Sequence, residues 1–178
     1  MEVIIRPDAE TAALLTARVL ASAIRQKPDL VLGLATGRTM ESVYAHLARL
    51  HAASGVSFAR VRTFNLDEYV GLPADHPQSY RRYMQEHLFS RVDIRRDRTH
   101  LPDGMAADWE AECAAYEAAI RASGGIDVQL LGIGVDGHIG FNEALSSFGS
   151  RTRRIALAPS TIAQNAAMFD GQTDRVPR

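Results

Sequence analysis

Leu30-Val31-Leu32-Gly33-Leu34 runs straight into Ala35-Thr36-Gly37-Arg38-Thr39. Five apolar residues without polar alternates predict a strand buried on both faces. The small and hydroxyl-bearing residues after it predict a turn. Val43, Leu47 and Leu50 then share one face of a helix over 41–53. A buried strand, a tight turn and an amphipathic helix are the opening of a βαβ unit. The alternation recurs on both sides. Upstream, Val3-Ile4-Ile5 reads as a first strand ended by Pro7. Asp8 is placed to cap a helix from Ala9 to Gln26, where Ala13, Leu14, Ala17, Leu20, Ala21 and Ile24 repeat at helical spacing. Downstream, Val61–Phe64 predicts a third strand, Leu66–Gln78 a long loop, and Ser79–Phe89 a helix. His100-Leu101 predicts a short strand and Ala106–Ala122 a helix stopped by Gly124-Gly125. Val128–Leu131 predicts a strand, Arg153–Leu157 another, and Pro159 the start of a short helix. The expected fold class is α/β, with a mostly parallel sheet covered on both faces.

The chain has 178 residues, 46% hydrophobic and 23% charged, which suits one globular domain over 1–178. Lys plus Arg is 20 against 21 Asp plus Glu, a net charge of −1, so bulk charge gives no support to nucleic-acid binding. Cys113 is the single cysteine, and an internal disulfide is impossible. The N-terminal apolar run is too short for a signal peptide, and no stretch approaches the ~20 apolar residues of a membrane span. A cytoplasmic protein with no membrane partner is the expectation.

In open parallel sheets ligands sit beyond the carboxyl ends of the strands, so the residues following each strand matter most. Thr36-Gly37-Arg38-Thr39 opens a helix and reads either as a plain turn or as an anion site made by helix-terminal N–H groups. It lacks the Gly-Lys-Ser/Thr ending of a nucleotide loop. Asn65-Leu66-Asp67-Glu68-Tyr69 follows the third strand. Its carboxylates read either as ordinary loop charges or as a cleft base. After Val128–Leu131 comes Gly132-Ile133-Gly134-Val135-Asp136-Gly137-His138-Ile139-Gly140-Phe141-Asn142-Glu143. The G-x-G-x-x-G match sits late in the chain and opens no long helix, so it is not a dinucleotide site. Asp136, His138 and Glu143 instead suggest a proton shuttle, a histidine whose tautomer is set by flanking carboxylates. A metal site is the rival reading, but no further ligand stands at metal spacing.

These stretches resemble the glucosamine-6-phosphate deaminase family of sugar-phosphate isomerases and deaminases. The resemblance rests on Phe64–Pro73 with His76–Tyr80, on Gly134–Glu143, and on Ser147–Arg153. It implies a modified Rossmann-like fold and the conversion of glucosamine 6-phosphate and water to fructose 6-phosphate and ammonium, in amino sugar catabolism. It implies no metal or other cofactor, a small-molecule amino sugar phosphate as partner, and leaves a homo-oligomer open. Residue by residue, Asp67 falls at the enolisation base, His138 at the ring-opening acid/base, and Asp136 and Glu143 at the carboxylates that assist it. Thr36, Gly37, Arg38 and Thr39 fall at the phosphate loop.

The departures from the family pattern are specific. The loop usually reads Thr-Gly-Gly-Thr, and Arg38 replaces its second glycine. Ala167 stands where a phosphate-gripping arginine is typical, and Ala144 where a proline follows the catalytic glutamate. Ser146 and Arg153 match an allosteric pocket found in some members, whereas Ile155 and Ala156 replace its polar or basic residues. The family is also longer toward the C-terminus, which predicts an incomplete sheet here. Two other readings stay open: a weakly active or non-catalytic paralogue or fragment that binds a sugar phosphate, and a hydrolase like the related 6-phosphogluconolactonases.

Overall fold

A computed structural model describes residues 1–134 and 136–177. Val135, quoted in the glycine-rich loop, and Arg178 lie outside the described residues. The first helix, α1 (Ala9–Gln26), is capped by Asp8, whose carboxylate accepts the Thr11 N–H at 2.7 Å. Its buried stripe is Ala13, Ala17, Leu20, Ala21 and Ile24. Strand β1 (Val31–Leu34) is buried at every position. Helix α2 (Arg38–Ser54) follows, ending at Gly55 in the left-handed region. Then come β2 (Arg62–Asn65), α3 (Tyr80–His87), β3 (Thr99–His100), α4 (Trp109–Ala122), β4 (Val128–Gln129) and α5 (Pro159–Asn165).

The sheet order is β3-β2-β1-β4, and every pairing is parallel. Val31 lies opposite Arg62, Leu34 opposite Asn65, and Leu32 opposite Val128. Alternate side chains of β1 go to opposite faces. Leu32 and Leu34 join Leu20, Ile24, Tyr44 and Leu47 in the main core under α1 and α2. Val31 and Phe64 meet Tyr116 of α4 on the other face. Burial on both faces is why β1 carries no polar alternation. The expected Rossmann-like α/β arrangement is the one observed.

Two expected strands are corrected. Val3-Ile4-Ile5 has no secondary structure, with relative exposures of 71%, 52% and 86%. β-branched residues favour a strand, but a strand needs a paired neighbour, and among the described residues none lies beside this segment. Arg153–Leu157 is also irregular. It follows a segment tied by side chains rather than by a ladder: Thr152 N–H and hydroxyl both donate to Glu117 of α4, at 3.0 and 2.9 Å. Val128–Leu131 shortens to a two-residue strand paired only with β1. Helix α4 starts at Trp109 rather than Ala106, because Asp108 caps it by accepting the Ala111 N–H at 3.0 Å.

Candidate active site

The chain passes from β1 to β2 and β3 on one side, while β4 lies on the other. The loops that leave β1 and β4 therefore diverge, and the crevice between them is where this architecture binds ligands. The loop after β4 packs against the first turn of α2. A Cβ on Gly132 would stand 3.2 Å from Cε of Met40, in the first turn of α2.

The loop after β4 folds around His138. Its Nδ1–H donates to Asp136 Oδ1 at 2.6 Å, and its backbone N–H reaches the same oxygen at 3.2 Å. A donated Nδ1–H leaves Nε2 as the basic nitrogen. These bonds hold the Asp136 carboxyl below its ordinary range, the backbone N–H contributing most. Asp136 Oδ2 also accepts from the Ser160 hydroxyl at 3.4 Å. Glu143 Oε1 accepts the Ala158 N–H at 3.0 Å, while its Oε2 is buried without a protein partner. One donor atom from each of Asp136, His138 and Glu143 lies within 4.8 Å of the others. Gly134 is required by proximity: a Cβ there would come within 2.3 Å of His138 Cε1.

Asp67 approaches this loop from the end of β2. Its Oδ2 lies 3.1 Å from where a Cβ on Gly140 would stand. Desolvation lifts its carboxyl to about 7, and Glu68 adds to the rise; the Phe141 N–H and His138 oppose it. Glu68 points elsewhere. Its Oε1 accepts the N–H groups of Tyr69 and Tyr80, both at 2.9 Å. Its Oε2 accepts the Arg81 N–H at 2.9 Å and the Ser79 hydroxyl at 2.8 Å. One of the two adjacent carboxylates faces the crevice, and the other anchors the start of α3.

Gly37 takes the positive φ (+112°) that the turn after β1 requires, and Arg38 is already the first residue of α2. The missing second glycine therefore imposes no backbone strain. Thr36 and Gly37 are half-buried; Arg38 and Thr39 are exposed. Tyr83 donates to the Gly37 carbonyl at 2.7 Å. Ala167 is exposed. The neighbouring Asn165 donates its Nδ2 to the Tyr69 hydroxyl at 2.8 Å. Ser146 and Arg153 bond each other at 3.0 Å.

The structure thus brings Asp136, His138 and Glu143 together and sets Asp67 against their loop at Gly140, while the Thr36–Thr39 turn leads into Met40, which meets Gly132 of the same loop. A cavity of about 270 Å³ opens beside Asp67 toward Trp109, Cys113 and Arg153, but it touches neither His138 nor the Thr36–Thr39 turn. The crevice, where the acid–base side chains converge, is the candidate site. Sequence reasoning missed Tyr69, Tyr80 and Phe141, which frame it; all three lie inside the quoted stretches, yet as aromatics they carried no chemical signal.

A model of the family described as glucosamine-6-phosphate isomerases/6-phosphogluconolactonase matches residues 8–143. The glucosamine-6-phosphate deaminase of Geobacillus sp. (strain WCH70) is 52% identical over 162 residues, 91% of this chain and 64% of that protein. The one from Beutenbergia cavernae is 51% identical over 177 residues, 99% of this chain and 68% of that protein. A solved monomeric glucosamine-6-phosphate deaminase superposes with a TM-score of 0.97 at 46% identity, covering 100% of this chain and 73% of its own. A 6-phosphogluconolactonase from Thermotoga maritima superposes less closely, with a TM-score of 0.64 at 29% identity over 78% of this chain and 62% of its own. The chain spans less than two thirds of the Geobacillus relative's length. Since the matched span, Asp8 to Glu143, carries α1, the parallel sheet and the candidate residues Asp67, Asp136, His138 and Glu143, and the relatives are about half identical over nearly all of this chain, the chain belongs to the glucosamine-6-phosphate deaminase family.

Proposed function

We propose that the crevice converts glucosamine 6-phosphate and water to fructose 6-phosphate and ammonium. One observation carries the reading: a carboxyl lifted to about 7 packs against Gly140, inside the loop that holds Asp136, His138 and Glu143 together. The reaction needs two proton-handling centres. His138 Nε2 takes the proton of the anomeric hydroxyl and delivers it to the ring oxygen, which breaks the C1–O5 bond and leaves an open-chain aldehyde. Asp136 stabilises the imidazolium formed on the way. Asp67, ionised, removes the proton from C2 and returns it to C1, while one proton of the C2 ammonium passes to the C1 oxygen, turning the open-chain aldehyde into a 1-hydroxy C2 iminium. Water then adds at C2, and ammonia leaves as ammonium. Glu143 orients the histidine loop. The phosphate is held by the Thr36 and Thr39 hydroxyls, the N-terminal N–H groups of α2 and the Arg38 guanidinium.

No metal or other cofactor takes part in this reading. Turnover should survive dialysis against a chelator. The deciding assay is ammonium release from glucosamine 6-phosphate by the wild type, Asp67→Asn and His138→Gln. Ammonium from the wild type, lost in both variants, is expected. No ammonium, together with ring opening of 6-phosphogluconolactone, would replace the reading with ester hydrolysis.

A further inference from the structure

Two tyrosines grip the turn that leaves β1. Tyr44 of α2 is buried, and its hydroxyl donates to the Ala35 carbonyl. Tyr83 of α3 is half-buried, and its hydroxyl donates to the Gly37 carbonyl at 2.7 Å. The two rings meet edge-on, with centroids 6.4 Å apart and planes at 68°. His87, one turn further along α3, backs the Tyr83 ring at 4.3 Å. The Gly37 carbonyl also accepts the Met40 N–H at 2.9 Å, so both of its lone pairs are used.

Across a trans peptide, a carbonyl and the N–H of the next residue point in opposite directions, and among the described residues no peptide is cis. Drawing the Ala35 and Gly37 carbonyls toward the tyrosines therefore turns the Thr36 and Arg38 N–H groups away from them. Among the described residues neither of these N–H groups, nor that of Thr39, meets an acceptor. Donors already fixed in direction need no reorganisation when an anion arrives.

We infer that Tyr83 is a positioning residue for the substrate phosphate: its hydroxyl holds the Gly37 carbonyl and thereby aims the Arg38 N–H at the phosphate, as Tyr44 does for Thr36. The inference rests on the reading of Thr36–Thr39 as the phosphate turn. It adds that a residue of another helix, touching no ligand, sets the phosphate affinity.

Tyr83→Phe removes the hydroxyl and keeps the ring between Tyr44 and His87. The experiment titrates the ¹⁵N-labelled full chain with inorganic phosphate, for the wild type and this variant. In the wild type the Thr36 and Arg38 amide protons should move downfield as they bond the anion. In Tyr83→Phe the midpoint should rise about three-fold or more, the size of one net hydrogen bond, and the Arg38 shift at saturation should shrink. KM for glucosamine 6-phosphate should rise by a similar factor, with kcat within about two-fold. Wild-type amides of Thr36 and Arg38 that phosphate leaves unmoved would overturn the inference without recourse to any variant. A lowered urea midpoint in Tyr83→Phe with an unchanged phosphate midpoint would also overturn it, by making the hydroxyl merely structural. Amides that answer phosphate, more weakly in Tyr83→Phe, in a wild type that releases no ammonium would sink the functional reading and leave the positioning role standing.

Discussion

Asp67 and Glu68 are adjacent carboxylates sent to different tasks by their surroundings. Desolvation raises Asp67 to about 7, against an ordinary aspartate near ~3.9. The folded state thus keeps this proton through a range where the unfolded chain has released it. Its contribution to stability is complete below about pH 4 and is lost as pH rises through about 7. Asp67→Asn should flatten that decline. Melts of the two proteins at pH 4 and pH 8 should show the variant losing less of its midpoint, with equal losses indicating a well-hydrated carboxyl. Arg38 is a second residue-scale case. It is exposed at the first position of α2 and needs no positive φ, so it is free to meet a phosphate. A lost hydrogen bond between charged groups costs about 1.5–3 kcal/mol. Arg38→Ala should therefore weaken calorimetric binding of glucosamine 6-phosphate about ten-fold or more.

Helix α3 spans only eight residues, Tyr80–His87, and an isolated helix of that length is marginal in water. Glu68 satisfies its start by accepting the Tyr80 and Arg81 N–H groups and the Ser79 hydroxyl. Those donors are part-buried, so removing the carboxylate strands them. Glu68→Ala should cost about 2–4 kcal/mol in a urea titration, well beyond an ordinary cap deletion of ~1 kcal/mol. A cost under about 1 kcal/mol would mean that water replaces the carboxylate. The same helix packs Tyr80 against Tyr69 and Phe141. Loosening its first turn should therefore slow ammonium release as well.

At the scale of the whole molecule, the main core lies between the sheet and the α1–α2 layer, and among the described residues no strand pairs with the outer edge of β4. Near the chain start Ile5 is 86% exposed, and Ile133, just past β4, is 79% exposed. A free strand edge and scattered apolar side chains favour association between copies. Velocity sedimentation should show concentration-dependent self-association, reduced in the Ile5→Lys, Ile133→Lys double variant. Identical sedimentation of the two proteins would show that this surface makes no contacts.

What the sequence determined by itself is local. The bounds of α1 follow from Asp8 and a 3.6-residue apolar repeat, and β1 follows from a short apolar run between turns, because these signals lie within a few residues of each other. The crevice residues Asp67, Asp136, His138 and Glu143 were legible as chemistry at strand ends. Their employment was not. Glu68 anchors α3 through residues 11 to 13 positions away, and Asp67 is desolvated by a loop more than 70 positions on. Val3–Ile5 has strand propensity, yet only a paired neighbour could make it a strand. Burial, partners and pairing depend on groups distant in the chain, so the tertiary structure alone decided them.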